Sequence, residues 1–298
     1  MTTKEQGFTV VTKTDSTVSE FRRVTRIFFR RKLAVFGLFT ILVFVVLAIF
    51  APSIAPYDPY KVDVTQALLN PSWNHFLGTD ALGRDTLSRI IYGSRNSLLI
   101  GVISVVIGGL IGQFLGLIAA YSGGLTSTII MRVIDAQMSF PGILLMVIIA
   151  AVLGGGLRNV IIALSVSMIP VSCRLMYAEA LAVKEEDYVI AARSIGADPL
   201  RIMVRHIYPN CFPSLLVLMT IQMGVVILSE AGLSYLGLGI AAPNASWGNM
   251  ISQGYPYLLN DPVLSLAPGL AIMLVVFGFN MMGDGLRDAL DPRLRGLL

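Results

Sequence analysis

The chain has 298 residues, of which 55% are hydrophobic and 13% charged, with a mean hydropathy of +0.75 and a formal charge of +4. Average soluble domains carry about a quarter charged residues, so this composition excludes an ordinary soluble domain and points to a membrane protein. The positive charge is sorted along the chain, which argues against nucleic-acid binding.

Met1–Glu20 is polar, rich in Thr and Lys and without apolar period, and predicts disorder. From Phe21 to Lys32 arginines alternate with Phe21, Ile27, Phe28 and Phe29, the pattern of an interfacial helix whose cations reach anionic headgroups. The basic cluster follows about twenty polar residues and no small-residue cleavage site ends the next apolar run, so no cleavable signal is expected.

Six apolar runs approach the ~20 residues needed to cross a bilayer. They are Leu33–Phe50, Ser97–Tyr121, Ile129–Leu153, Val160–Met176, Phe212–Leu228 and Val263–Met282. The expected fold is therefore all-α, a polytopic membrane protein with six transmembrane helices. Its expected divisions are a tail with an interfacial helix (1–32), a first span (33–54), an outer connection (55–96), a transmembrane core (97–284) and a second tail (285–298). With the N-terminus inside, only Lys61, Arg84, Arg89, Arg95 and Arg158 of the 22 Lys and Arg fall outside. Inner loops are enriched in these residues, which sets the orientation, with both termini cytoplasmic.

In the outer connection, Ala-Pro-x-x-Ala-Pro-Tyr-Asp-Pro cannot continue a helix and reads as extended chain. Further on, Asp85 and Arg89 are one helical turn apart and predict an i,i+4 pair, with Asp85 near a helix start. Asp80 and Asp85, read as a catalytic pair, share no helical face well, and His75 reads as a surface or turn residue. The next span carries Gly108, Gly112 and Gly116 at four-residue intervals, a stripe for close helix packing.

Arg132 and Asp135 open the third span, in its first turns where both can reach the interface, so structural pairing or a contact on the inner side is expected ahead of substrate binding. Gly154-Gly155-Gly156 makes an outer turn. Ser165, Ser167, Pro170 and Ser172 in the fourth span give polar groups and a kink; they could line a path or simply bond between helices. Gln222 is the strong polar group in the middle of the fifth span, so Ser165, Ser167 and Gln222 are the candidate translocation-path residues. Glu230 lies at the outer end of that span. The stretch 231–262 is apolar but Gly- and Pro-rich, and predicts a re-entrant or partly buried outer loop with Trp247 near the headgroups. Cys173 and Cys211 fall at inner ends of spans, where neither a disulfide nor a metal site is expected.

Between the fourth and fifth spans, Tyr188–Asn210 is a polar insert that reads as two short helices with an elbow. Tyr188, Ala191, Ala192 and Ile195 recur at the spacing of one buried face, with Glu186, Asp187 and Arg193 on another. Gly196 stops the first helix and Asp198-Pro199 starts the second as N-cap and first residue. Leu200, Met203, Val204 and Ile207 make a second apolar face beside Arg201 and Arg205, and Pro209 ends it. Amphipathicity alone also fits a hairpin lying on the membrane surface.

The small pair Ala191-Ala192, Gly196 and Pro209 resemble the EAA motif, the coupling loop (here 178–210) of membrane subunits of bacterial ABC importers. Ile190 stands where that motif has Glu, and His206 and Tyr208 where it has Ile and Leu. A second resemblance is more specific. Leu77, Gly78, Thr79, Asp80, Gly83, Arg84, Asp85, Ser88, Arg89, Gly93, Arg95, Ser97 and Leu98 match the signature of peptide-importer permeases of the OppC/DppC type. Leu233, Ser234, Leu236, Gly237, Gly239, Trp247, Gly248 and Met250 look like the same family, as does the tail 283–298.

The resemblance implies a type I ABC importer permease for dipeptides or oligopeptides, or for the glutathione or nickel complexes carried by relatives. It implies a second related permease, two ATP-binding subunits, an outer substrate-binding protein and a bacterial inner membrane as partners. No G-x-x-x-x-G-K-[ST] occurs in the chain, so ATP and Mg would be used by the partner subunits, with no cofactor and no catalytic or metal residue expected here. An ion-driven secondary transporter would want embedded carboxylates and paired broken helices, and offers only Asp135 and Glu230. A membrane enzyme would want a nucleophile elbow, a metal-binding His pair or paired mid-span aspartates, none of which is patterned.

Overall fold

The computed structural model describes residues 13–240 and 243–290. Twelve helices occur among them: α1 (Lys13–Arg30), α2 (Lys32–Ile49), α3 (Ala51–Ile54), α4 (Thr86–Ser122), α5 (Gly124–Met138), α6 (Gly142–Leu153), α7 (Leu157–Lys184), α8 (Asp187–Ser194), α9 (Pro199–Ile202), α10 (Tyr208–Tyr235), α11 (Trp247–Gly254) and α12 (Val263–Leu290). Five helical segments, those at Lys32–Ile49, Thr86–Ser122, Leu157–Lys184, Pro199–Tyr235 and Val263–Leu290, are long and apolar enough to cross a membrane. The pair α5 and α6 passes the same test only when taken together and is bent by 89°, so the described residues hold five such spans, or six with the bent pair counted as one. The protein is thus an all-α polytopic membrane protein whose spans pack as a bundle between two ends, called here the cap end (55–85) and the elbow end (185–207).

Helix α2 is apolar all round. Ala34, Ile41 and Phe44 are buried, while Phe36, Phe39, Leu42 and Val46 stay exposed, as expected of a helix with one side on the bundle and one on lipid. Its start is tied to the end of α12 by an ion pair between Arg31 and Asp288, which puts the first span's entry and the last span's exit at the same end. The tightest pairing is α4 with α7. Gly108, Gly112 and Gly116 face the Ser165, Ile169 and Cys173 carbonyl oxygens of α7, and a Cβ at any of the three would overlap them. Small residues here let two backbones approach without a side chain between them.

One core lies among α2, α4, α7, α10 and α12, around Ile100, Leu164, Ile227 and Val275. Trp247 plugs its cap end. It is fully buried, edge-on to Phe44 at 5.6 Å between ring centroids, and its indole N–H donates to the Ile90 carbonyl at 3.0 Å. Glu230 is also fully buried and receives the Ser97 hydroxyl at 3.2 Å and the Ser234 hydroxyl at 2.7 Å, joining α4 to α10.

Several expectations change. The third span is broken: Ser139, Phe140 and Pro141 interrupt it because proline disfavours helix at its own predecessor and lacks an amide hydrogen. Trp247 sits inside the core rather than near headgroups, since α11 carries it under α4. Residues 13–20 are helical rather than disordered, because a helix established at 21–30 propagates cheaply toward its N-terminus. The expectation for 1–12, and that for the tail beyond 290, lie outside the described residues.

The outer connection ends at Asp85, eleven residues before the expected boundary. Asp85 caps α4, accepting the Ser88 amide at 2.8 Å, so α4 rises from within the cap. The cap is folded on a charge knot. Asp80 pairs with Arg84 at 2.7 Å and with buried Arg89 at 3.5 Å, in place of the expected Asp85–Arg89 pair, because Asp85 is occupied by the helix cap and by His75 Nδ1 at 2.8 Å. His75 is buried rather than a surface residue, its Nε2 lying 3.1 Å from the Gln66 oxygen. Arg84 reaches Gln253 of α11 at 3.1 Å and Arg89 donates to the Pro59 carbonyl at 3.1 Å, so the knot clamps cap to bundle. On the cap surface the Thr65 hydroxyl donates to Asp63, holding that carboxyl below its usual range.

Candidate functional site

The elbow is built as its sequence requires at the turn itself. Gly196 has φ of +77°, the left-handed conformation that a Cβ penalises, and Asp198 accepts the Leu200 and Arg201 amides at 3.0 and 3.2 Å, with Pro199 opening α9. Beyond α9 the chain does not stop at Pro209. Residues Met203–Ile207 form a π-helical turn that runs directly into α10. The wider turn shifts the hydrogen-bond register, so the missing N–H of Pro209 falls at the start of α10, where it costs least. The elbow is therefore a rigid extension of the fifth span.

Its buried and exposed faces are rotated from the sequence expectation. Val189 and Ala192 of α8, with Ile202 and Ile207, are buried in a second core with Leu117 and Ala120 of α4, Met176 and Ala180 of α7, and Cys211 and Leu215 of α10. Tyr188, Ala191, Ile195, Leu200 and Val204, expected to be buried, are exposed, and so is Ile190. The inner face is set by what α4 and α7 offer as a floor, which periodicity within α8 cannot see. Around the exposed apolar side chains stand Glu186, Asp187, Arg193, Arg201 and Arg205. Partial burial, with the Glu186 carboxylate nearby, raises the Tyr188 hydroxyl above its ordinary value.

Three polar anchors hold the elbow to the bundle. Lys184 donates to the Ala120 and Tyr121 carbonyls at 3.0 and 3.1 Å, satisfying the free end of α4. Lys184 and Arg193 both lie over the Tyr121 ring, at 5.9 and 6.0 Å from its centroid. Tyr208 donates to Gln113, a buried glutamine on α4. Sequence reading missed Lys184, Tyr121 and Gln113; the signal available for Gln113 was a lone amide inside the glycine stripe Gly108–Gly116.

The candidate path residues do not converge. Ser165 is buried under Gly108, Ser167 donates to the Ala163 carbonyl of its own helix, and the Gln222 amide lies 3.2 Å from Met168 Sδ between α7 and α10. Asp135 of α5 instead forms an ion pair with Arg174 of α7. Among the described residues no group of His, Cys, Asp and Glu is placed to hold a metal ion.

The chain was compared with known proteins. Residues 112–296 match the family described as binding-protein-dependent transport system inner membrane component, and residues 19–71 match the N-terminal TM domain of oligopeptide transport permease C. The chain is 40% identical to the dipeptide transport system permease protein DppC of Alkalihalophilus pseudofirmus, over 93% of this chain and 91% of that one. It is 42% identical to the glutathione transport system permease protein GsiD of Escherichia coli, over 95% and 94%. Among solved structures, two inward-facing crystal forms of the MetNI methionine ABC transporter share the fold. Their TM-scores are 0.56 and 0.57 at 20% and 19% identity, covering 68% and 69% of this chain and 97% and 98% of the compared chains. With the type I importer permease fold, a helical elbow seated on the end of the bundle and both families matched along its length, the chain belongs to the binding-protein-dependent transport system inner membrane component family.

Proposed function

We propose that this chain is one of two permease subunits of an ATP-driven importer of small peptides, of the dipeptide or glutathione class. Its second subunit is a related permease, two ATP-binding subunits dock at the elbow end, and an outer binding protein delivers cargo at the cap end. Both chain ends and the elbow then face the cytoplasm of a bacterial cell and the cap faces outward, the orientation that the distribution of Lys and Arg favours. The chain performs no chemistry of its own, and ATP and Mg act on the partner subunits.

The observation that carries this reading is the two-sided elbow. One side, with Val189, Ala192, Ile202 and Ile207, is locked into the bundle, and the other presents Tyr188, Ile190, Ile195, Leu200 and Val204. A surface hairpin on lipid would need neither this buried side nor the Lys184 and Tyr208 contacts that fasten its two roots, the end of α7 and the start of α10, to α4, whereas a lever must be fixed to what it moves.

Co-expression with an ATP-binding subunit and a second permease of this importer class from the same genome tests the reading. The expected result is a stable complex whose uptake of a dipeptide in proteoliposomes requires ATP, the binding protein and every subunit. Uptake by this chain alone under a proton or sodium gradient overturns it in favour of a secondary transporter.

A further inference from the structure

We infer that Asp135 and Arg174 line the water-filled path and act as an exchange ion pair for zwitterionic cargo, Asp135 receiving the ammonium end and Arg174 the carboxylate end. The inference rests on the importer reading and adds to it a location and a charge chemistry for the path.

The first observation is where the pair sits. Arg174 stands two residues inside the elbow-side end of the apolar run Val160–Met176 and Asp135 six residues inside that of Ile129–Leu153, so the pair lies in the elbow-side part of the apolar layer, with Asp135 the deeper of the two. The second is exposure. There the Arg174 and Asp135 side chains are 49% and 43% exposed. Charged groups facing lipid are costly, so this face borders water or another subunit, in contrast to the Phe36, Phe39 and Val46 face of α2.

The third observation is the break in the same span, one turn further from the elbow end. Ser139, Phe140 and Pro141 leave the helix with an 89° bend and are exposed. Gln137 beside them donates to the Val166 carbonyl, which places the break level with the middle of α7. Irregular backbone at membrane depth is tolerated where it is buried in protein or lines a water-filled cavity, and this one is not buried within the chain. Ser167 and Val171 of α7 continue the stripe of Arg174 at i−7 and i−3, extending the same face toward the break.

An ion pair already made suits a zwitterion. Cargo carrying an ammonium and a carboxylate can replace one salt bridge by two, and guanidinium matches carboxylate in two-point geometry. A cargo of one net sign would leave one partner uncompensated. The pair therefore favours small peptides with free termini over singly charged or neutral solutes.

Two readouts on the complete transporter in liposomes test this. In a chain carrying Cys173→Ala and Cys211→Ala, Arg174→Cys is expected to react with a charged, membrane-impermeant thiosulfonate applied to both sides, and Phe39→Cys to remain unmodified. An unreactive Arg174→Cys overturns the proposal whatever the importer transports. The second readout compares Asp135→Asn, Arg174→Gln and the double variant for uptake of a radiolabelled dipeptide and for ATP hydrolysis stimulated by loaded binding protein. Each single variant is expected to lower uptake at least tenfold with stimulated hydrolysis within twofold of normal, and the double variant to stay as low. If the pair is only structural, the double variant recovers, because the damage comes from one charge left alone; that recovery overturns the proposal. Should the unmodified transporter hydrolyse ATP yet import no dipeptide, the importer reading falls, and the thiosulfonate readout alone decides whether the pair lines water.

Discussion

The Tyr208 hydroxyl donates to Gln113 Oε1 across 2.8 Å, fastening the first residue of α10 to the elbow-end third of α4. The Tyr208 ring also lies parallel to Phe114, with centroids 6.4 Å apart and an interplanar angle of 11°. This contact sits where the π-helical turn Met203–Ile207 joins the elbow to the span, so a movement of the elbow passes through it. Tyr208→Phe keeps the ring contact and leaves the buried Gln113 oxygen without its donor, at a cost of about 1–3 kcal/mol. The expected phenotype is a lower melting temperature in detergent and fewer peptides imported per ATP hydrolysed, measured as the ratio of uptake to phosphate release in proteoliposomes. An unchanged ratio would mean that the elbow's force reaches the bundle by another route, through Lys184.

The α4–α7 contact makes a sharper contrast between neighbouring glycines. Gly112 faces the Ile169 carbonyl, which cannot move without its helix, while a Cβ added at Gly109 would lie 3.3 Å from the end of the flexible Met219 side chain. Gly112→Leu is therefore expected to separate the two helices, costing about 1–3 kcal/mol or more and lowering the amount of protein that survives extraction in monodisperse form. Gly109→Ala should be close to neutral in the same size-exclusion assay, because Met219 can yield.

Five of the spans, the packing role of the glycine stripe and the position of the elbow are legible because each is written locally: an apolar run of sufficient length, a four-residue repeat, a Gly-x-Asp-Pro turn. What was hidden is relational. Periodicity shows that α8 is amphipathic but not which side the ends of α4 and α7 cover: of the expected inward set Tyr188, Ala191, Ala192 and Ile195 only Ala192 is buried, and Val189 joins it. In sequence Asp85, one helical turn away, is the natural partner for Arg89. Only the cap's fold, which gives Asp85 to His75 and to the α4 N-terminus, assigns Asp80 to the arginines. The ion pair Asp135–Arg174 joins residues far apart in the chain, and neither alone signals the other.

The cap knot predicts a strong asymmetry. Asp80 is the acceptor shared by Arg84 and Arg89, both almost fully buried. Asp80→Asn removes the compensating charge from two buried guanidinium groups and is expected to cost about 3–5 kcal/mol, the usual penalty for breaking a buried pair from one side. Asp58→Asn, at an exposed carboxylate that accepts the Tyr60 amide at 2.8 Å, should cost well under about 1 kcal/mol. Limited proteolysis of the cap separates the two, with rapid cleavage within 55–85 expected for Asp80→Asn alone.

The elbow's exposed face permits a test in which stability and function part company. Ile195 is 85% exposed and Leu200 63% exposed, on either side of the Gly196 turn, and neither contributes to the buried core beneath. Ile195→Asp and Leu200→Asp are thus expected to change thermal stability by no more than about 0.5 kcal/mol. At an interface with an ATP-binding subunit, however, each would desolvate an uncompensated carboxylate, and co-purification of that subunit should fall at least tenfold. Gly196→Ala gives the opposite pattern: forcing a Cβ into φ of +77° costs about 1–2 kcal/mol and shifts the melting temperature, while the exposed side chains remain in place. Pull-down of the ATP-binding subunit, read beside the melting curve for all three variants, distinguishes a docking face from a merely amphipathic hairpin. If both aspartates co-purify normally, the partner seizes some other part of this end of the bundle.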